Sequence, residues 1–278
     1  CHSAFKENPK AKDSTNPPSL VMAVFGDSIM WGQGLRERDK FWCRAKQWLE
    51  LKTGREVEPY MYAHAGAVID EKSLLTQESG KDHYELVLKV DEIGEEVNVS
   101  FPTINEQVQT AADKLKGKKV DFVLVDGCIN DLNFRTLMNA GNTKTGIDGA
   151  TTNFCGKPML DLLRHINKNF PSAFIIVTGY YPLVYKGLPV EKDGKVEFKK
   201  GTAKNQLTRL LLRQLGKNVA VSKKTFENLD ELSRTWHEAS NKILKSAVDD
   251  ANLEFGEHKK LVHFAELHFP PEYGFSTK

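Results

Sequence analysis

Gly26-Asp27-Ser28 is the first place in this chain where chemistry could be done, because it follows the apolar run Leu20–Phe25 and leads into Trp31-Gly32-Gln33-Gly34. A serine at the rim of a sheet becomes a nucleophile if a base reaches its hydroxyl and donors surround the oxyanion it creates. The alternative reading is a plain turn, since Gly, Asp and Ser all favour turns. Two further polar loops follow apolar runs. Ala65-Gly66-Ala67 closes residues 56–64, and Asp126-Gly127-Cys128-Ile129-Asn130-Asp131 follows VDFVLV at 120–125. An asparagine amide suits an oxyanion because it donates without being ionised. His64 stands near the same rim, where a lone histidine beside a strand end reads as a structural hydrogen-bonder.

The elements that must position these residues are legible as alternating strands and helices. The run Leu20–Phe25 is too short for a helix and rich in strand formers. Asp39 can cap a helix running to Thr53, with Phe41, Trp42, Ala45, Trp48 and Leu49 on its core face and Gly54 ending it. Residues 56–64 read as the second strand. Residues 70–101 are polar and acidic with short apolar patches, which suggests an inserted hairpin or lid. Pro102 and Thr103 start a helix whose stripe is Ile104, Val108, Ala111, Ala112 and Leu115. The run 120–125 is apolar enough to be covered on both faces, as in a parallel sheet. A helix over 157–169 buries Met159, Leu162, Leu163 and Ile166; a strand over 173–178 then ends in Gly179-Tyr180-Tyr181-Pro182. The alternating charges of 185–204 read as a solvated hairpin or flap. A long helix over 225–251 carries Leu229, Leu232, Trp236, Ile243, Ala247 and Ala251, and LVHFA at 261–265 is a fifth strand. The expected fold is therefore α/β: a three-layer, doubly wound sandwich around a five-stranded parallel sheet, with residues 1–19 as a flexible tether and 20–278 as one domain.

Composition narrows the function classes. The 278 residues carry 39 basic and 37 acidic side chains, a formal net charge of +2 with no clustering, so nothing argues for nucleic acid. No apolar run approaches the ~20 residues of a membrane-spanning helix. The four cysteines, Cys1, Cys43, Cys128 and Cys155, form no CxxC pair and have no histidine at ligand spacing, which argues against zinc. A Cys128–Cys155 disulfide is open to the chain but not deducible from spacing. Cys1 followed by a polar, Lys- and Pro-containing stretch resembles a mature bacterial lipoprotein, with an arbitrary fragment boundary as the alternative; the first reading implies an extracytoplasmic protein anchored by lipid on Cys1.

The ordered set GDSIMWGQGL, AHAGAVI, FPTINEQV, VLVDGCINDLNF and VTGYYPLV resembles a bacterial and fungal branch of the SGNH, or GDSL, hydrolases over roughly residues 20–276. The resemblance implies a flavodoxin-like fold and a serine esterase or acylhydrolase acting on acylated carbohydrate or lipid. Ser28 would attack the acyl carbonyl, and the Ser28 N–H, the Gly66 N–H and the Asn130 side-chain amide would hold the oxyanion. Asp27 and Asp131 would be turn formers, and no metal or organic cofactor is implied. The GxSxG elbow, the Walker phosphate loop and the GxGxxG fingerprint are absent. The chain departs from the family at its Asp-x-x-His block, since no Asp lies three residues before any of the eight histidines. Two expectations follow for the base: it lies beyond Lys278, or it is His268, with Glu266 only two residues before it. Without it the chain would bind and barely turn over. The rival functions are a non-catalytic glycan- or lipid-binding protein on the same fold and an envelope O-acyltransferase.

Overall fold

The computed structural model describes residues 17–71, 100–132, 134–137, 139–183, 190–192, 195–197, 220–256 and 261–267. All six residues of β1 (Leu20–Phe25) are buried, because the strand lies in mid-sheet with helices on both faces. β1 pairs in parallel with β2 (Val57–Met61) on one side and β3 (Phe122–Val125) on the other; β4 (Phe174–Thr178) and β8 (Val262–Ala265) extend the sheet beyond β3. The order is β2-β1-β3-β4-β8, every pair parallel. This is the expected five-stranded doubly wound sheet, and its winding reverses between β1 and β3. In such sheets ligands bind at that reversal, outside the carboxyl ends of the strands.

Alternate residues of each strand serve opposite layers. Val21, Ala23, Phe25, Val123, Val125, Ile175 and Val177 pack in one core with α3 (Ile104–Lys114), α6 (Lys157–Asn169) and α7 (Lys223–Phe255). Leu20, Met22, Val24 and Leu124 pack in a second core with Trp42, Cys43 and Leu49 of α2 (Phe41–Thr53). Thr103 caps α3 in the expected place: its hydroxyl accepts from the Glu106 N–H, and Glu106 reaches back to the Thr103 N–H.

Several elements differ from the sequence reading. α2 starts at Phe41 with Lys40, not Asp39, at the cap position; Lys40 gives no capping bond because an ammonium has no acceptor for the first-turn N–H groups, and it lies over the Trp31 ring, 3.3 Å from the centroid. Asp39 instead ends a short 3₁₀ turn, Glu37–Asp39. The buried face of α2 is also rotated. Phe41 and Trp48 are 39% and 58% exposed, while Lys46 and Glu50 are buried as an ion pair and Glu50 Oε1 accepts from the Val57 N–H at 3.2 Å. Charged residues at those positions read as a solvent face, and only the pairing lets them be buried. Three helical segments fall where none was expected: α4 (Phe134–Leu137), α5 (Lys144–Thr151) and a widened turn, Thr152–Gly156, that runs into α6. Cys155 in that turn is disulfide-bonded to Cys128, 27 residues earlier.

Within the charged stretch expected to form a hairpin or flap, β5 (Val190–Lys192) and β6 (Lys195–Glu197) pair antiparallel, and β7 (Ala220–Ser222) joins them. Most of the expected lid at 70–101, the rest of the 185–204 stretch, Cys1 with the first sixteen residues of the tether, and His268 lie outside the described residues.

Candidate active site

The register Phe25↔Val125 puts the loops after β1 and β3 side by side, and the loop after β2 joins them. The link to that third loop is backbone: the Tyr62 and Ala63 N–H groups donate to Val24 O at 2.9 and 3.2 Å, and the His64 N–H donates to Gly26 O at 3.2 Å. Ser28, Gly66 and Asn130 therefore stand on three loops gathered at one edge of the sheet.

Gly26 makes the first turn. Its N–H donates to Gln107 Oε1 at 2.9 Å and its carbonyl accepts from Gln107 Nε2 at 3.1 Å, so one buried amide on α3 satisfies both sides of the peptide. A Cβ at Gly26 would sit 1.9 Å from Asp126 Oδ1. Asp27, wholly buried, then caps α1 (Ser28–Trp31): Oδ1 accepts from the Ile29 N–H at 2.8 Å, Oδ2 accepts from the Tyr180 hydroxyl at 2.9 Å, and its own N–H donates to Asp126 Oδ1 at 2.9 Å. This matches the turn-forming part expected of Asp27. Ser28 comes next, half-buried, with neither its N–H nor its hydroxyl hydrogen-bonded among the described residues.

Gly66 has φ 87, a left-handed conformation that favours glycine, and its N–H also finds no acceptor among the described residues. Its loop is fixed from two sides. The Ile69 N–H donates to both oxygens of Asp131 at 3.0 and 3.1 Å, and Ile69 O accepts from Asn105 Nδ2 at 3.0 Å. Asn130 Nδ2 donates to Ala67 O at 2.9 Å. That bond uses one amide hydrogen and orients the other, which is left available. Asp131 thus tethers the loop, as expected of it. On the oxyanion role expected from the sequence, Asn130→Ala should lower ester turnover by about ten- to a thousandfold; kinetics beside a thermal melt check this, the melt showing the fold retained.

His64 has each ring nitrogen against a backbone carbonyl, Nδ1 to Ala65 O at 3.0 Å and Nε2 to Pro102 O at 2.7 Å. It ties the Gly66 loop to the start of α3 and makes no hydrogen bond to Ser28. Of the other described histidines, His165 pairs with Asn105 and His263 stacks on Phe174. No histidine among the described residues hydrogen-bonds Ser28. Nor is any group of three His, Cys, Asp or Glu side chains among them placed to hold a metal ion.

Three supporting residues were not singled out from sequence. Gln107 sits in the apolar stripe of α3, three residues after Ile104. Asp126 is a buried carboxyl directly after the most apolar strand. Tyr180, directly after Gly179, is wholly buried: it donates to Asp27, its hydroxyl oxygen accepts from the Ile129 N–H at 3.4 Å, and its ring packs on Trp236 of α7 with centroids 5.0 Å apart. Asn241 fixes the Tyr180 backbone on both sides, at 2.9 and 3.2 Å. Burial pushes the Asp27 carboxyl up to about 6 against the pull of its donors, Ile29 N–H first, and burial followed by the charge of Asp27 pushes Asp126 well above the usual carboxylate range.

The fold and site together define a doubly wound α/β protein with a free serine hydroxyl and free amide donors at its sheet reversal. No family model and no curated protein matches the sequence. Among solved structures, the chain is similar to the lipase Lip_vut3 from a goat rumen metagenome, at 17% identity over 88% of this chain and 80% of that one, TM-score 0.46. It is also similar to an extracellular lipase from Streptomyces rimosus, at 15% identity over 93% of each chain, TM-score 0.42. A third is AlinE4, an SGNH-hydrolase family esterase, at 14% identity over 59% of this chain and 60% of that one, TM-score 0.34.

Proposed function

We propose that this protein is an SGNH-type serine ester hydrolase that cleaves carboxylic esters of acylated carbohydrate or lipid. The observation that carries the reading is the set of free groups at one edge: the Ser28 hydroxyl and N–H, the Gly66 N–H and the second Asn130 amide hydrogen, on three loops bonded to one another. In the reaction Ser28 Oγ adds to the acyl carbonyl, the alcohol leaves, and water releases the acyl group from the serine. The tetrahedral intermediate concentrates negative charge on one oxygen. Donors already held by Asp27, Asp131 and Ala67 meet that charge without reorganising, each worth a few kcal/mol of barrier. A general base takes the serine proton and returns it to the leaving alcohol, and no histidine among the described residues is hydrogen-bonded to Ser28.

The reading extends to a protein that works outside the cytoplasm; a lipid thioether on Cys1 is disfavoured, because Cys43 is also disulfide-bonded and, with Cys128 and Cys155 paired to each other, the chain would have no other sulfur to offer it. The Cys128–Cys155 disulfide supports that compartment, because disulfides persist in oxidising environments. The function is tested by incubating the intact protein with a serine-directed alkyl fluorophosphonate and mapping the adduct by mass spectrometry. One adduct on the peptide carrying Ser28 is expected. An unmodified Ser28 peptide under conditions that label a control esterase would overturn the reading and favour a binding protein.

A further inference from the structure

Asp27 and Asp126 are both wholly buried and lie against each other under the Ser28 turn. Asp27 is fully served as an ionised group, with donors on both oxygens. Asp126 is not. The Asp27 N–H donates to Asp126 Oδ1 and the Met30 N–H also favours the ionised form of Asp126, but burial outweighs both, and its Oδ2 is buried without a hydrogen bond. Two adjacent carboxylates without a cation cannot both be charged in a dry site. No Lys or Arg among the described residues pairs with either one. The titratable groups around them are His64 after β2, whose charge favours ionised Asp27, and Tyr180 and Tyr181 after β4, whose hydroxyls are held neutral by burial and then by the two carboxyls. A proton on Asp126 resolves the arrangement, because the oxygen without a hydrogen bond then becomes a donor and its neighbour is Asp27.

We propose that Asp126 works as a neutral carboxylic acid whose proton is donated to Asp27, and that this carboxyl–carboxylate pair is the positioning element holding the Ser28 turn to the end of β3. The proposal rests on Ser28 being the nucleophile and adds a residue the reaction depends on. Asp126 is a positioning residue: it acts through Asp27, whose N–H it accepts and whose carboxylate it steadies. The proton also fixes the sign of the pH response. A group whose pKa is higher folded than unfolded lends stability that is complete at low pH and is lost as the pH rises through its folded value. The working turn therefore weakens on the alkaline side, when Asp126 ionises beside Asp27.

Asp126→Asn is the discriminating variant, because its Oδ1 can still accept the Asp27 N–H and its Nδ2 can still donate to the Asp27 carboxylate. Asp126→Ala can do neither. Three measurements on the intact protein test the pair: the infrared carbonyl band of a protonated carboxyl at neutral pH, thermal midpoints from acid to alkaline pH, and the rate of Ser28 capture by the fluorophosphonate. The wild type should show the protonated band and Asp126→Asn should lack it. The wild type should lose stability relative to Asp126→Asn as the pH rises. Capture should slow by about a hundredfold in Asp126→Ala, as displaced supports can do, and recover in Asp126→Asn. A wild type without the band, parallel stability profiles, or Asp126→Asn as slow as Asp126→Ala would each overturn the proposal. Should Asp126→Ala fail to fold, the band and the stability comparison still decide. A band present in a protein whose Ser28 is never captured keeps the proton assignment and sinks the hydrolase reading.

Discussion

Ser28→Ala in the intact protein is expected to lower ester turnover by about 10⁴- to 10⁶-fold while leaving the fold untouched, the loss seen when a serine nucleophile is removed and only the oxyanion donors remain. The size follows from the division of labour at the turn. Alanine keeps the residue 28 backbone N–H and disturbs neither Gly66 nor Asn130, so binding and part of the electrostatic stabilisation survive. What goes is the only atom that can form the acyl bond. The Ser28 hydroxyl has no hydrogen-bond partner among the described residues, so its removal should change stability by no more than about 0.5 kcal/mol. Initial rates on a short p-nitrophenyl ester, beside thermal melts of both proteins, check the two halves. Retained turnover would remove Ser28 from the chemistry altogether.

The largest expected effect on stability is at Gly26. In Gly26→Ala the new methyl lies 1.9 Å from Asp126 Oδ1 and 2.9 Å from Met30 Cβ, on a backbone with φ +144 that side chains rarely adopt. Neither neighbour can step aside cheaply. Asp126 Oδ1 is held by the Asp27 N–H, and Gly26 itself is pinned by both ends of the Gln107 amide. Moving either strands buried polar groups. A loss of about 4 kcal/mol or more is expected, or failure to fold, which is the upper range for single substitutions. Gly149→Ala is the matched control, since it lies within α5 with nothing within 4 Å of the added Cβ. It should stabilise the protein by about 0.5–1 kcal/mol, the usual gain of Ala over Gly inside a helix. Chemical denaturation of the two variants reads both signs, and a Gly26→Ala protein as stable as the wild type would contradict the packing of this turn.

Much of the frame was legible in the sequence, for a local reason. Runs such as Leu20–Phe25 and Phe174–Thr178 carry their own burial signal, and α6 was readable to its ends because Met159, Leu162, Leu163 and Ile166 recur at helical spacing before Pro171. Polar residues whose meaning depends on distant partners were not readable. Lys46 and Glu50 look like a solvent face until each is seen to neutralise the other. Gln107, Asp126 and Tyr180 look like ordinary polar residues because what they hold lies 81, 99 and 153 residues away. The site followed the same division. Ser28, Gly66 and Asn130 announce themselves by residue type at strand ends, whereas the groups that aim them are found only when the strands are laid side by side.

That last separation bears on when the Ser28 turn gains its supports. Tyr180 leaves the ribosome 153 residues behind Asp27, on the order of ten to thirty seconds later at cellular translation speeds. Until then the proposed nucleophile travels on an unfinished knuckle, with the third strand's carboxyl made but the phenol beneath it still to come. Even then the support is unfinished, because Trp236 and Asn241, which hold Tyr180, and the last strand of the sheet are made later still.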